Sequence, residues 1–480
     1  MLASIVTNSN IKYPDSTDYF APDVKYPEYP FSYISSRKNV IYMSVRETFR
    51  QAGLDIQNYN TPQWNPLGRY IRKGDNVFLL CNFVFHKRKK ETINEFFAKC
   101  THASIIRALI DYVFIACGSQ GVISFGNAPI QSCDFQKVLK DTGVDSVIKF
   151  YKENNIKLFA KDLRLQISKR TKLGNFKSLE SRDENDGMIV NVDDLSLLNE
   201  LYTGKDNIAF RVTDYNPERI QKFHHNNYHK YVINKAILCS DVVISVPKLK
   251  THEKVGLTVG LKGFVGIVGH KDCLAHHRFG SPKINGDEYP NSSRIQLVAS
   301  HFNDFVQKRQ YPKILFPLME IIDVNFRRVL KRLFHNIQSG AWYGNDTAWR
   351  MTLDLAKIIH QTDRYGKLTN VSIRKNIVFI DGVISGEGNG PLSPTPIETG
   401  CLIFSDNIVL GDMVSCYLTG WDLEKVKLIR NSMNIKNLFL KNQTNKAQCV
   451  MNDKLIDLEN IPSILGRKFI PPDGWKKILL

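Results

Sequence analysis

Three consecutive stretches decide the fold: NVFLLCNF (residues 76–83), THASIIRALIDYVFIACG (101–118) and QGVISFGNAP (120–129). The first is a continuous apolar run of strand length, the pattern of a strand buried on both faces. The second carries apolar residues at helical spacing, with Thr101 placed to cap the helix and Gly118 just past its end. The third returns to strand and closes on a Gly-Asn turn. Strand, helix, strand with short turns is the signature of a parallel sheet covered by helices. The expected class is α/β, with mostly parallel sheets covered by helices, in two lobes with an irregular N-terminal arm.

Working outward, residues 1–60 are rich in Tyr, Pro, Ser and Asn and read as an extended arm. Residues 61–165 form the first α/β segment, and 166–230 a polar insertion or β-rich excursion. The main α/β segment, 231–440, holds buried strands near 231–238 and 241–246 and a unit opening with KNIVFIDG at residue 375, followed by a strand at 401–404 and helices near 408–432. It also holds a helix over 314–335 whose end carries Arg327, Arg328, Lys331 and Arg332. That helix reads as amphipathic, with a basic last turn that suits the helix dipole; a membrane- or nucleic-acid-binding helix is the alternative. Residues 441–480 are a C-terminal tail. No repeat of about 20 to 50 residues is present, which excludes solenoids and propellers.

Composition narrows the function. The 480 residues are 43% hydrophobic and 23% charged with 29 Gly and 19 Pro, which excludes collagen-like, coiled-coil and mostly disordered chains. Lys plus Arg is 65 and Asp plus Glu 47, so the net charge is 65 − 47 = +18 and an anionic partner is favoured. Nine cysteines are scattered singly with no C-x-x-C pair, so neither an iron–sulfur cluster nor a zinc ribbon has a ligand set. Their odd number fits a reducing compartment. The first residues lack the pattern of a secretory signal, and no run reaches the roughly 18 apolar residues that span a bilayer. A cytoplasmic, soluble chain is expected.

Chemistry concentrates in four stretches. The densest, residues 241–277, runs from an apolar strand through Pro247 into Lys248, Lys250 and His252. Strand ends in open α/β sheets are where ligands bind, and these cations make an anion site. Gly256, Gly260, Gly263, Gly266 and Gly269 follow, with Lys262 among them, so backbone amides can approach a phosphate or carboxylate. Neither a P-loop nor a dinucleotide fingerprint is present there. His270, His276 and His277 close the stretch; acid–base or anion-binding roles compete with a polar loop and with metal binding, for which their spacing is poor.

In the second stretch, 340–359, Asn345, Asp346 and Thr347 can cap a helix, and Arg350 can pair with Asp354; tryptophans flanking polar groups also suit a sugar. The third, 380–394, ends a strand at Asp381 and interleaves Glu387 and Asn389 with glycines, able to aim amides or a carboxylate at a ligand; Asp412 can reach the same place. The fourth, 125–135, holds Asn127 and Gln131.

Together these stretches resemble the bacterial domain of unknown function 362 family, from about Trp64 to Asp422. The ordered motifs are WNPLG (64–68), THASIIRALIDY (101–112), GNAPIQ (126–131), PKLKTH (247–252), GLKG (260–263), WYGNDTAWR (342–350) and DGVISGEGNGP (381–391). The resemblance implies an α/β protein of surface-polysaccharide gene sets, here without the iron–sulfur module some members carry. Lys248, Lys250, His252, Lys262, Arg350, Asp381 and Glu387 match its pattern. Leu80-Cys81-Asn82 stands where Lys-Pro-Asn is expected, and Asn127 replaces an aspartate, departures that imply altered substrate or reduced activity.

The leading function is an enzyme using acid–base chemistry on an anionic, phosphorylated or carboxylated small molecule such as a sugar, by proton abstraction, elimination or epimerisation. His252, His276, Asp381 and Glu387 are the candidate acids and bases; Lys248, Lys250, Lys262, Asn345, Asp346, Arg350 and Asn389 the binding groups. No metal is expected; His270, His276 and His277 are the only candidates for one. The alternative is a non-catalytic accessory protein that binds an acidic polysaccharide or a lipid-linked precursor, with peripheral membrane contact. Nucleic-acid binding is not expected, because the basic residues are dispersed and no recognition motif is present.

Overall fold

The strand read from residues 76–83 is the centre of the molecule. In this computed structural model, residues 1–14, 18–170, 177–202, 208–334, 337–435, 438 and 447–480 are described. In chain order the strands of the main sheet are β1 (Leu2–Thr7), β2 (Asn76–Cys81), β3 (Val122–Asn127), β4 (Leu158–Asp162), β5 (Val242–Val246) and β6 (Lys248–His252), then β7 (Gly256–Thr258), β8 (Lys375–Glu387), β9 (Thr395–Ser405), β10 (Gln448–Met451) and β11 (Lys454–Ile456). Across the sheet they run β11-β10-β1-β9-β8-β5-β2-β3-β4, with β6 joining β8 and β7 joining β6.

The five strands β8, β5, β2, β3 and β4 are parallel neighbours. The chain builds from β2 outward through β3 and β4, then crosses back to place β5 and β8 on the other side of β2. That reversal makes an open doubly wound sheet, whose ligand crevice lies beyond the carboxyl ends of the strands where the order turns, here β2 and β5. Both faces of β2 are buried, as its continuous apolar run requires. Val77, Leu79 and Cys81 pack with Ile105, Leu109 and Tyr112 of the helix Ala103–Cys117. Phe78 and Leu80 pack on the opposite face with Leu261 and Phe264. That helix is capped by the His102 ring, which accepts from the Ser104 amide, rather than by Thr101.

The N-terminal region is not an extended arm. Its first residues form β1, antiparallel to β9, and Val40–Gln51 is a helix capped by Asn39 that buries Ile41, Tyr42, Val45 and Phe49. The tyrosines that give this region a loop-like composition are packing groups: Tyr26, Tyr59 and Trp64 surround the Arg46 guanidinium, which pairs with Glu28 at 2.7 Å. The polar stretch 166–230 is a β-rich excursion: a hairpin of Gln166–Arg170 with Lys177–Ser181, and Gly187–Asn191 paired with Tyr228–Asn234. The strand expected near 231–238 ends at Asn234, whose side chain caps a short helix, Lys235–Leu238. The C-terminal tail adds β10 and β11 to the sheet edge, while its residues 441–446 lie outside the described ones.

β3 ends in a backbone geometry that only glycine adopts easily. Gly126 has φ +145°, and a Cβ there would stand 2.0 Å from the Lys161 carbonyl oxygen on β4. Gly126→Ala is expected to destabilise the protein by about 3 kcal/mol or more in urea unfolding, because β3 and β4 must separate to admit the methyl.

Candidate functional site

β5 runs into Pro247 and continues as β6, along which alternate side chains share a face. Lys248, Lys250 and His252 therefore point the same way, and their surroundings diverge. Lys248 is fully buried, 2.9 Å from the Asp381 carboxylate and hydrogen-bonded to the Tyr13 hydroxyl at 2.6 Å. Tyr13 in turn donates to Asp381 at 2.6 Å. Lys250 and His252 instead line a cavity of about 390 Å³, within the range of small-molecule sites.

The cavity sits where the topology predicts it. Asn82 and Phe83 after β2, Asn127 and Ala128 at the end of β3, β6 and the glycine-rich turn beyond β7 form its floor. Six cationic side chains border it, Lys250, Lys254, Lys262, Lys271, Arg327 and Lys331, against two carboxylates, Glu253 and Asp214. Asp214 is already paired with Arg327 at 2.7 Å.

Burial shapes these cations more than counter-charge does. Lys250 donates to Asn82 Oδ1 at 2.7 Å and to the Lys99 carbonyl at 2.9 Å, and burial pushes its ammonium down to about 7. Lys271 donates to the Ala128 carbonyl at 2.7 Å and is likewise pushed down to about 7 by burial. Lys262 has no hydrogen-bond or carboxylate partner among the described residues; burial and then the Lys254 cation push it to about 7 as well. Lys254 donates to the Ser339 carbonyl and is lowered by burial. Five further polar atoms of cavity-lining residues have no hydrogen-bond partner among the described residues: Asn127 Oδ1, Ser168 Oγ, Thr213 Oγ1, Thr258 Oγ1 and Gln338 Nε2. Buried polar atoms are nearly always satisfied, so this lining suits a polar ligand.

The short helix Gly260–Gly263 that carries Lys262 is held from outside the cavity. Asp412 accepts from the Gly260 amide at 2.7 Å and the Leu261 amide at 3.1 Å, and burial raises its carboxyl to about 7. A Cβ on Gly260 would lie 2.6 Å from Ile408 and 2.9 Å from Asp412, so glycine is needed for this close approach. Asp412 thus positions Lys262 rather than joining the 380–394 loop.

Two imidazoles face the cavity with opposite hydrogen-bonding character. His252 Nδ1 accepts from the Lys254 amide at 3.1 Å, which leaves the proton on Nε2. His276 Nδ1 lies 3.0 Å from the Leu274 carbonyl and must carry the proton, which leaves Nε2 as an acceptor. Burial holds both well below the usual histidine range, reinforced by the Lys262 and Lys254 charges. One neutral ring offers a donor and the other an acceptor.

The remaining candidates lie elsewhere. Asp381 is enclosed with Lys248 and Tyr13, apart from the cavity lining. Glu387 is gripped by both arms of Arg467, at 2.9 Å each, and by the Ile470 amide at 2.8 Å. Asn389 exchanges hydrogen bonds with Asp473, and the 380–394 loop reaches the cavity only through Pro391 and Leu392. Asn345 Oδ1 accepts from the Thr347 and Ala348 amides in the turn that leads into the helix Ala348–Gln361, whose N-cap is Thr347. Asp346 receives Arg350 and Trp349, and Arg350 also pairs with Glu200. His277 is buried on a short strand and His270 is half-buried. Among the described residues no group of three or more His, Cys, Asp and Glu side chains is placed to hold a metal ion. Lys254, Lys271, Arg327 and Lys331, which also line the cavity, belong to none of the sequence motifs. Lys254 continues the every-second-residue spacing of Lys248, Lys250 and His252, a signal present in the sequence.

An open doubly wound α/β sheet with a cationic cavity at its strand ends defines the class. Residues 201–417 match the family model described as a domain of unknown function, DUF362. The matched span contains four of the seven motifs, from PKLKTH to DGVISGEGNGP; WNPLG, THASIIRALIDY and GNAPIQ precede it. No curated protein matches the chain. Among solved structures, it overlaps the lactate racemase apoprotein from Thermoanaerobacterium thermosaccharolyticum at 10% identity and a TM-score of 0.30, covering 72% of this chain and 49% of that one. It also overlaps a protein from Thermotoga maritima at 11% identity and a TM-score of 0.26, covering 81% of this chain and 59% of that one. The chain thus spans 49% and 59% of those two lengths, and overlap at this level says nothing of the site's chemistry.

Two measurements follow from the contrast between Lys248 and its neighbours. Asp381→Ala strands Lys248 without its counter-charge and is expected to cost about 3–5 kcal/mol in urea unfolding, whereas Lys248→Met with Asp381→Leu recovers most of that loss. Lys250, Lys262 and Lys271, pushed down to about 7, lose their charge progressively as pH rises through that value, so any anion drawn by them is expected to bind more tightly below it. Sulfate, fully ionised throughout, is expected to raise Tm most below pH 7 and progressively less as pH rises through 8.

Proposed function

We propose that the protein is an enzyme that performs acid–base chemistry on an anionic small molecule held in the lysine-lined cavity. The supporting observation is the pairing of an excess of buried cations with two neutral imidazoles in one enclosed space. An anion entering the cavity draws protons onto Lys250, Lys262 and Lys271 and supplies the counter-charge they lack. Lys262, with no partner among the described residues, is the first contact for a phosphate or carboxylate. In this reading His276 Nε2 is the base, the neutral His252 Nε2–H donates a hydrogen bond to the charge that develops, and a lysine ammonium returns the proton in elimination or epimerisation. Neighbouring ammonium groups would stabilise negative charge that develops on the substrate as the proton leaves.

A phosphorylated or carboxylated sugar, as in surface-polysaccharide biosynthesis, is the substrate class this reading favours. The volume suits a molecule of that size, and Asn127, Ser168, Thr258 and Gln338 offer hydrogen bonds beyond those an anion uses. A reducing, cytoplasmic setting belongs to the same reading, because all nine cysteines are unpaired. Asp381 and Glu387 are assigned supporting roles here, since Lys248 with Tyr13, and Arg467, already occupy their oxygens.

The test is solvent-hydrogen exchange. A panel of sugar phosphates and uronic acids is incubated with the protein in D2O and followed by NMR. Deuterium is expected at one carbon-bound position of at least one compound. His276→Gln is expected to slow that exchange by about 100-fold while leaving the sulfate affinity within about two-fold. Binding by members of the panel with no exchange or turnover in any of them would favour the accessory-protein alternative.

A further inference from the structure

Residues 294–333 form a helical hairpin, Arg294–Lys308 and Phe316–Leu333, whose polarity is inverted. The inward stripe of the second helix carries Glu320, Asp323 and Arg327, and these are ion-paired. Glu320 meets Arg309 at 2.8 Å, and Arg327 meets both Asp323 and Asp214 at 2.7 Å. The outward stripe carries Leu318, Ile321, Ile322, Val329 and Leu333, each between 39% and 63% exposed. These recur at three- and four-residue steps and so share one helical face. Ile314, at the turn, is 86% exposed. Among the described residues, ten of the 27 exposed large hydrophobic side chains fall within these 40 positions, far beyond the scatter expected of a solvated surface.

Charge identifies the partner. The three acids of the hairpin are all engaged, Asp304 with Arg211 and the other two as above. Its exposed cations are not: Arg294, Lys313 and Arg332 have no carboxylate partner among the described residues, and Arg328 is held only by Asn325 Oδ1 at 3.0 Å. An aliphatic stripe interleaved with free arginines and lysines, with no unpaired acid, fits an anionic surface that is apolar just beneath its charges. We propose that this hairpin docks on an anionic lipid bilayer, its aliphatic stripe at the headgroup–acyl boundary and its arginines and lysines on lipid phosphates. Arg327 and Lys331 of the same helix border the cavity, so docking brings the cavity mouth to within about one helix diameter, roughly 10 Å, of the headgroups.

Vesicle sedimentation tests the proposal on the full chain. Vesicles of phosphatidylcholine with phosphatidylglycerol are expected to bind the protein at low salt, and vesicles of phosphatidylcholine alone to bind it at least ten-fold less. Leu318→Glu with Ile322→Glu, and separately Arg328→Glu with Arg332→Glu, are each expected to lower binding to the anionic vesicles by about ten-fold. Tm and sulfate affinity of both variants should match the parent, which shows an intact fold and cavity. Absent binding of the parent to anionic vesicles, or unchanged binding by both variants, overturns the proposal. A dimer in light scattering that Leu318→Glu dissolves would also overturn it, since a second copy would then cover the stripe.

Discussion

Burying ammonium groups without carboxylates is the constraint around which this molecule is arranged. A lysine removed from water loses solvation that only a counter-charge or deprotonation can offset. Here Lys250, Lys262 and Lys271 share a cavity, and each is driven toward its neutral form by burial. The described residues supply carbonyl and amide oxygens to two of them and no hydrogen-bond or carboxylate partner to Lys262. This is the feature on which we base the proposal of an anionic ligand, since a solvated basic surface carries no such desolvation cost. The net charge of +18 by itself could have been spread over the exterior; the cavity is where it acquires chemical meaning.

Lys248 and Lys250 show how finely the sheet sorts identical side chains. They stand two residues apart on one face of β6, yet Lys248 meets Asp381 and Tyr13 while Lys250 meets only uncharged oxygens. The difference comes from β8, whose Asp381 lies opposite Lys248 and whose Gly386 lies opposite Lys250. A carboxylate at one register position and a glycine at the other make one lysine structural and leave its neighbour available. Asp412 serves a comparable purpose on the far side, fixing the turn that presents Lys262 without contributing to the cavity wall.

Much of this was legible in the residues. β2, the helix after it and β3 could be read because a doubly buried strand is apolar throughout and the helix keeps its period. The N-terminal region could not, because its order depends on distant partners. β1 exists through β9, some 400 positions away, and the tyrosines around Arg46 look like loop composition until Trp64 and Glu28 close on them. The cavity lysines Lys250 and Lys262, with His252 and His276, announced themselves by clustering at one strand end. Asp381 and Glu387 looked equally available because nothing local marks Tyr13 or Arg467 as their partners. Arg327 and Lys331 were hidden by a simpler explanation, since a basic helix end usually needs only its dipole.

Burial lowers three lysines at the strand ends to about 7, and we propose that an anion restores their charge. Site-resolved NMR titration of 13C-labelled lysine side chains measures this directly, with and without sulfate. Lys250, Lys262 and Lys271 are expected to change charge near pH 7 in the free protein and at higher pH once sulfate is bound. Midpoints near the ordinary lysine value of about 10.4 for all three, unmoved by sulfate, would contradict it.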